Sequence, residues 1–100
     1  MDHEVKWDEQ ALADVEESVR WLAGHSPDAA EELRAAFFDS VRALRRFPEI
    51  GAVYEKDRSG RTREIVCRDY RIFYRPDLTS REVRILLVRH ASRREPRLPR

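Results

Sequence analysis

Apolar residues recur with a helical period in the first half of the chain and with a strand period in the second. Residues 4–7, Glu-Val-Lys-Trp, alternate polar and apolar and predict a short strand with Val5 and Trp7 toward the core. Asp8 follows as a helix N-cap. Leu12, Val15, Val19 and Leu22 then form one apolar stripe, with Glu9, Asp14, Glu16, Glu17 and Arg20 mostly off it. This predicts a helix over 8–23, with Gly24 as its C′ residue. Ser26-Pro27-Asp28 supplies a capping hydroxyl, a proline at the first helical position and an acid in the first turn. Ala30, Leu33, Phe37, Val41, Leu44 and Phe47 carry the second stripe until Pro48, which pushes Phe47 out of the helical region. Two amphipathic helices with so short a link should pack as an antiparallel hairpin.

From Pro48 the period changes. Residues 48–51 read as a turn, and 55–61 are polar, contain Gly60 and predict a mobile loop. Three strand-like runs follow, at about 62–67, 70–75 and 82–89. The links between them suit hairpins, so an antiparallel meander is expected. In the second run Tyr70, Ile72 and Tyr74 share one face, and Arg71, Phe73 and Arg75 the other. In the third run both faces are apolar, and the pattern leaves the core face open. The order is β-α-α-β-β-β. The predicted class is α+β, with the helical hairpin packed on one face of an antiparallel sheet. Residues 1–92 form the single expected domain, and 93–100 an arginine- and proline-rich tail with too few apolar groups to fold alone.

At 100 residues the chain can hold one core. No apolar run approaches the ~18 residues of a membrane span, so no membrane partner is expected. The acidic start, Met-Asp-His-Glu, does not read as a secretory signal. Cys67 is the single cysteine; it excludes an internal disulfide and a zinc site on paired thiolates, and it reads as a small buried apolar residue. A cytoplasmic location fits. The net charge of +1 hides an asymmetry. Residues 1–50 carry six Lys/Arg against twelve carboxylates, a net of −6; residues 51–100 carry fourteen against seven, a net of +7. Thirteen of those fourteen are arginines, whose planar fork suits carboxylate and phosphate. An anionic partner for this half is expected.

The ordered set of motifs resembles the RelE/ParE superfamily, the toxins of type II toxin–antitoxin modules. The matching pieces are Val5-Lys6-Trp7, Ala11 and Asp14, Pro27 with Ala29-Ala30, Leu44, Phe47-Pro48 and Gly51. Arg63-Glu64-Ile65, Tyr70 to Arg75, Val88-Arg89-His90 and Arg93-Arg94 complete the set. The resemblance implies a cognate antitoxin, a hetero-oligomer with it, and no cofactor or metal. It implies one of two activities: ParE-like members poison DNA gyrase by binding, and RelE-like members cleave mRNA on the ribosome.

Cleavage needs a base, an acid and cations for the phosphorane charge. Arg71, His90 and Arg93 would serve on that reading. The first meander strand has Arg63 and Glu64 where the RelE-like pattern wants lysines, no tyrosine follows residue 74, and arginine does not give up its proton. The incomplete set favours a ParE-like gyrase inhibitor. The residues expected to meet a partner are Trp21, Arg63, Arg71, Arg75, Arg93 and Arg94. Plainer readings stand beside these: Trp21 as packing, Arg71 and Arg75 as solvated arginines on an exposed strand face, and His90 as the cap of a turn.

Overall fold

The computed structural model describes residues 2–99. Strand β1 (Glu4–Trp7) is followed by helices α1 (Glu9–Ala23) and α2 (Pro27–Arg42), then by strands β2 (Ala52–Val53), β3 (Arg63–Cys67), β4 (Tyr70–Asp77) and β5 (Glu82–His90). The sheet order is β1-β5-β4-β3-β2. The expected meander β3-β4-β5 is antiparallel. The sheet as a whole is mixed, because β1 joins its edge parallel to β5. The two-residue β2, too short to leave a periodic signal, borders the other edge. The α+β class and the helical hairpin on one face are as the periodicities imply.

The helices form where their stripes predict. Ala11, Val15 and Val19 of α1, and Ala30, Leu33, Phe37 and Val41 of α2, pack on Ile72, Tyr74, Val83, Ile85 and Val88 of the sheet. Ser26 caps α2 by accepting the Ala29 N–H at 3.2 Å. Three local expectations are corrected. Asp8 stands at the N-cap of α1, but its side chain makes no cap bond; Arg84 claims it at 2.7 Å. Gly24 ends α1 in right-handed geometry, φ −65°, not as a left-handed C′ residue. The second stripe leaves the α-helix at Arg42, continues through a 3₁₀ turn that buries Leu44, and leaves Phe47 exposed.

The open face of the third run has a single cause. Phe73 pairs with Leu87 and Tyr74 with Ile85, so Leu86 is an extra residue in β5. A bulge of this kind reverses the alternation of sides. Before it, Val83 and Ile85 face the helices; after it, Val88 does. Leu86 and Leu87 both turn to the far face and join Tyr54 and Phe73 in a second cluster.

Asp14 braces the bulge. β1 ends before this stretch of β5, and the Asp14 carboxylate accepts the Val88 N–H at 2.9 Å. Asp14→Ala should leave that part-buried donor unpaired and cost about 1–3 kcal/mol. Urea unfolding of the variant at neutral pH measures it; a midpoint equal to wild type would remove Asp14 from this role.

Candidate partner surface on the far face of the sheet

The strand alternation that buries Ile72 and Tyr74 under the helices sends Arg71, Phe73 and Arg75 to the opposite face. Those arginines are not solvated. Arg71 lies over Phe73, its guanidinium carbon 4.8 Å from the ring centroid, and beside Tyr54 at 5.6 Å. It donates to Glu64 at 2.7 Å and to both oxygens of Glu95, at 3.1 and 3.2 Å. Burial works against its charge, but the bonds to Glu64 and Glu95 outweigh it and hold the guanidinium more firmly protonated. Arg75 is 8% exposed. It donates to Thr62 Oγ1 at 3.0 Å, to Asp57 at 3.4 Å and to the Pro99 carbonyl at 2.5 Å.

The cover comes from two segments that read as unstructured. The 55–61 loop is tied down rather than loose. Asp57 accepts from the Ser59 N–H at 3.0 Å and from the Thr62 hydroxyl. Those bonds, the hydroxyl's first, hold its carboxyl well below the usual carboxylate range. The tail crosses the face as an extended strap. Glu95 accepts from Tyr54 Oη at 2.5 Å and lies 3.6 Å from Lys56 Nζ. Its carboxyl is held low by the Tyr54 hydroxyl and then by Arg71. Burial, followed by the bond to Glu95, pushes the Tyr54 hydroxyl up to about 12, so it stays a donor at neutral pH. Leu98 packs on the cluster of Tyr54, Phe73, Leu86 and Leu87.

The expected site residues fall into separate places. Arg71 and Arg75 share the far face, and Arg93 and Arg94 begin the strap above it. The Arg94 carbonyl accepts from Arg89 Nε at 2.5 Å. Arg63 braces the chain after α2 through the Glu49 and Gly51 carbonyls, at 3.0 and 2.8 Å. Trp21 is 70% exposed at the end of α1, tilted against His25 with ring centroids 5.1 Å apart. His90 pairs with Tyr70, whose ring packs on Phe37 of α2. Its Nδ1 meets Ser92 Oγ at 2.6 Å and accepts the Ser92 N–H at 3.1 Å. His90 therefore caps a turn on the helix side, and Arg71 is on the other side.

Glu64, already noted beside Arg63, completes the face together with Tyr54, Asp57, Thr62, Glu95 and Leu98, which had not stood out in the sequence. Only Glu95 carried a signal: it is the sole acid after Glu82. Among the described residues no group of three or more His, Cys, Asp or Glu could hold a metal ion. Among the described residues no helix is long and apolar enough to cross a membrane.

Comparison with known proteins matches this architecture. Residues 5–95 match the family described as ParE toxin of type II toxin–antitoxin system, parDE. The candidate toxin Y4kP of Sinorhizobium fredii is 35% identical over 99 residues, which cover 94% of each chain. A solved chromosomal ParDE toxin–antitoxin system from P. aeruginosa superposes with a TM-score of 0.74 at 17% identity, over 90% of this chain and 97% of that one. A RelBE2 toxin–antitoxin complex from Mycobacterium tuberculosis superposes at 0.66 and 23% identity, over 90% and 99%. At those identities the two structures speak for the fold alone. The family match covers both the helical hairpin and the arginine-bearing sheet, and with it the chain belongs to the ParE toxin family of type II toxin–antitoxin systems.

Proposed function

We propose that this toxin acts as a ParE-like protein-binding inhibitor of DNA gyrase in the cytoplasm, and that a cognate antitoxin neutralises it. The separation of His90 from Arg71 carries this reading. Activating a ribose 2′-OH requires a proton carrier beside the cations that hold the phosphate. His90 is the imidazole nearest this part of the sheet, and it caps a turn behind it. On the arginine face the carboxylates Glu64 and Glu95 are each engaged by Arg71, and Tyr54 is kept protonated. A binder needs none of this chemistry. It needs a charged and apolar surface, and Arg71, Arg75, Phe73, Leu86 and Leu87 offer one once the strap moves.

Purified toxin should block plasmid supercoiling by purified gyrase, and primer extension on ribosome-bound message should show no new 5′ ends. The reverse pair of results would move the assignment to a ribosome-dependent endoribonuclease. His90→Ala supplies an independent check. Proton transfer typically contributes about 10²–10⁴ in rate, so a nuclease relying on His90 would lose most of its toxicity. The variant should instead still arrest growth at matched expression and matched melting temperature. Abolished toxicity in a folded variant would overturn the gyrase reading.

A further inference from the structure

The strap binds the far face as a peptide ligand would. Residues 93–99 have no regular secondary structure and are fixed at four points. The Glu95 carboxylate sits on Arg71, Tyr54 and Lys56. The Leu98 side chain sits on the cluster of Tyr54, Phe73, Leu86 and Leu87. The Arg94 and Pro99 carbonyls sit on Arg89 and Arg75. Beyond Arg93, whose N–H donates to the His90 carbonyl at 3.0 Å, the sheet and loop donate and the strap accepts. Any occupant of this surface must therefore bring acceptors and one aliphatic group.

The strap is a poor electrostatic match for the surface it covers. It brings one carboxylate but also Arg93, Arg94 and Arg97, while residues 51–92 carry ten Lys/Arg against six carboxylates, a net of +4 without it. It also fills the surface incompletely. A cavity of about 490 Å³ remains beneath it, bordered by the cations Lys56, Arg58, Arg61 and Arg75 against the two carboxylates Asp57 and Glu95. The buried Arg75 Nη1 has no hydrogen-bond partner among the described residues. A segment with the same acceptors and without the arginines would fit better.

We propose that this face is a groove for an extended acidic segment of a partner protein, one bearing a carboxylate and, three residues later, an aliphatic side chain. In the free protein the chain's own Glu95–Pro99 occupies it and must be displaced. The proposal deepens the toxin–antitoxin reading, and rests on it, only in taking the antitoxin as the partner; the groove itself is tested without reference to toxicity.

The probe is a fluorescein-labelled peptide, Ala-Glu-Pro-Ala-Leu-Pro-Ala, titrated against the full chain by fluorescence anisotropy. An intramolecular competitor acts at an effective concentration in the millimolar range. Removing its two anchors with Glu95→Gln and Leu98→Ser together should tighten peptide binding by about tenfold or more. Replacing the peptide's Glu by Gln, or its Leu by Ser, should weaken it by a similar factor. Equal affinity of wild type and double variant, no binding to the folded double variant, or equal binding of Glu and Gln peptides would each overturn the groove.

A second readout uses the unaltered protein. Leu98 packs on a cluster that contains the rings of Tyr54 and Phe73, so its methyl resonances should be displaced by ring currents, and saturating peptide should return them to random-coil positions. Leu98 shifts unmoved by bound peptide would also overturn the proposal. Peptide binding retained by a chain that neither arrests growth nor inhibits gyrase would sink the toxin reading and leave the groove standing.

Discussion

Gly51→Ala should lower the melting temperature by more than about 12 °C, the largest effect expected of any single methyl group in this protein. A Cβ at residue 51 would stand 2.6 Å from the Glu64 carbonyl oxygen and 2.6 Å from the Tyr74 hydroxyl, with the Tyr74 ring at 2.8 Å. None of these can step aside cheaply. The Glu64 carbonyl belongs to the pairing of β3 with β2, and the Tyr74 ring is fully buried. Overpacking of this kind typically costs about 1–3 kcal/mol.

The same substitution drives the Tyr74 hydroxyl off the Gly51 N–H, which it accepts at 2.8 Å in a buried setting, for about 1–3 kcal/mol more. Near the melting point each kcal/mol moves a domain of this size by about 4–8 °C. Tyr74→Phe alone should cost only the hydrogen bond. Combined with Gly51→Ala it should cost less than the sum, because both act on one contact. Calorimetry on the three variants tests this. A Gly51→Ala melting point within about 3 °C of wild type would mean that the close approach is not enforced.

What was legible in the chain was whatever repeats locally. The two helices follow from stripes that return every three or four residues, and the Ser26-Pro27-Asp28 start is a local device acting on its own turn. The meander is legible for the same reason, although β4 runs on through Pro76 to Asp77, where the expected strand ended at Arg75. The far face was not legible, because what makes it depends on residues distant in sequence. Alternation placed Arg71 and Arg75 together but could not say that residues 24 further on would cover them. One extra residue, Leu86, gives β5 two apolar faces; without a partner strand to count against, a bulge looks like indecision. His90 illustrates the converse. Its chemistry suggests catalysis, while its location at the end of β5 and its bonds to Ser92 assign it to a turn.

Arg75→Ala should be the most damaging loss of a charge, by about 3–5 kcal/mol, the usual cost of removing one member of a buried pair. Arg75 and Asp57 are both largely buried, and Thr62 joins them by accepting from the arginine and donating to the carboxylate. Removing the guanidinium leaves the largely buried Asp57 with only the Thr62 hydroxyl and the Ser59 N–H as partners and releases the Pro99 carbonyl from the end of the strap. Arg75→Met together with Asp57→Asn should recover at least half of the loss, because a buried ion pair replaced as a unit is often neutral.

Acid separates the two contributions. The folded state depresses the Asp57 and Glu95 carboxyls, so the stability each adds is complete above its ordinary value, 3.8 and 4.5, and is lost as pH falls through the depressed one. Between pH 7 and 3, stability measured by urea should therefore fall less steeply in Asp57→Asn than in wild type. Glu95→Gln should flatten the slope independently, through the strap. Identical slopes in wild type and both variants would place the acid sensitivity elsewhere. A double variant no better than Arg75→Ala would show that the guanidinium holds the face by its shape and not by its charge.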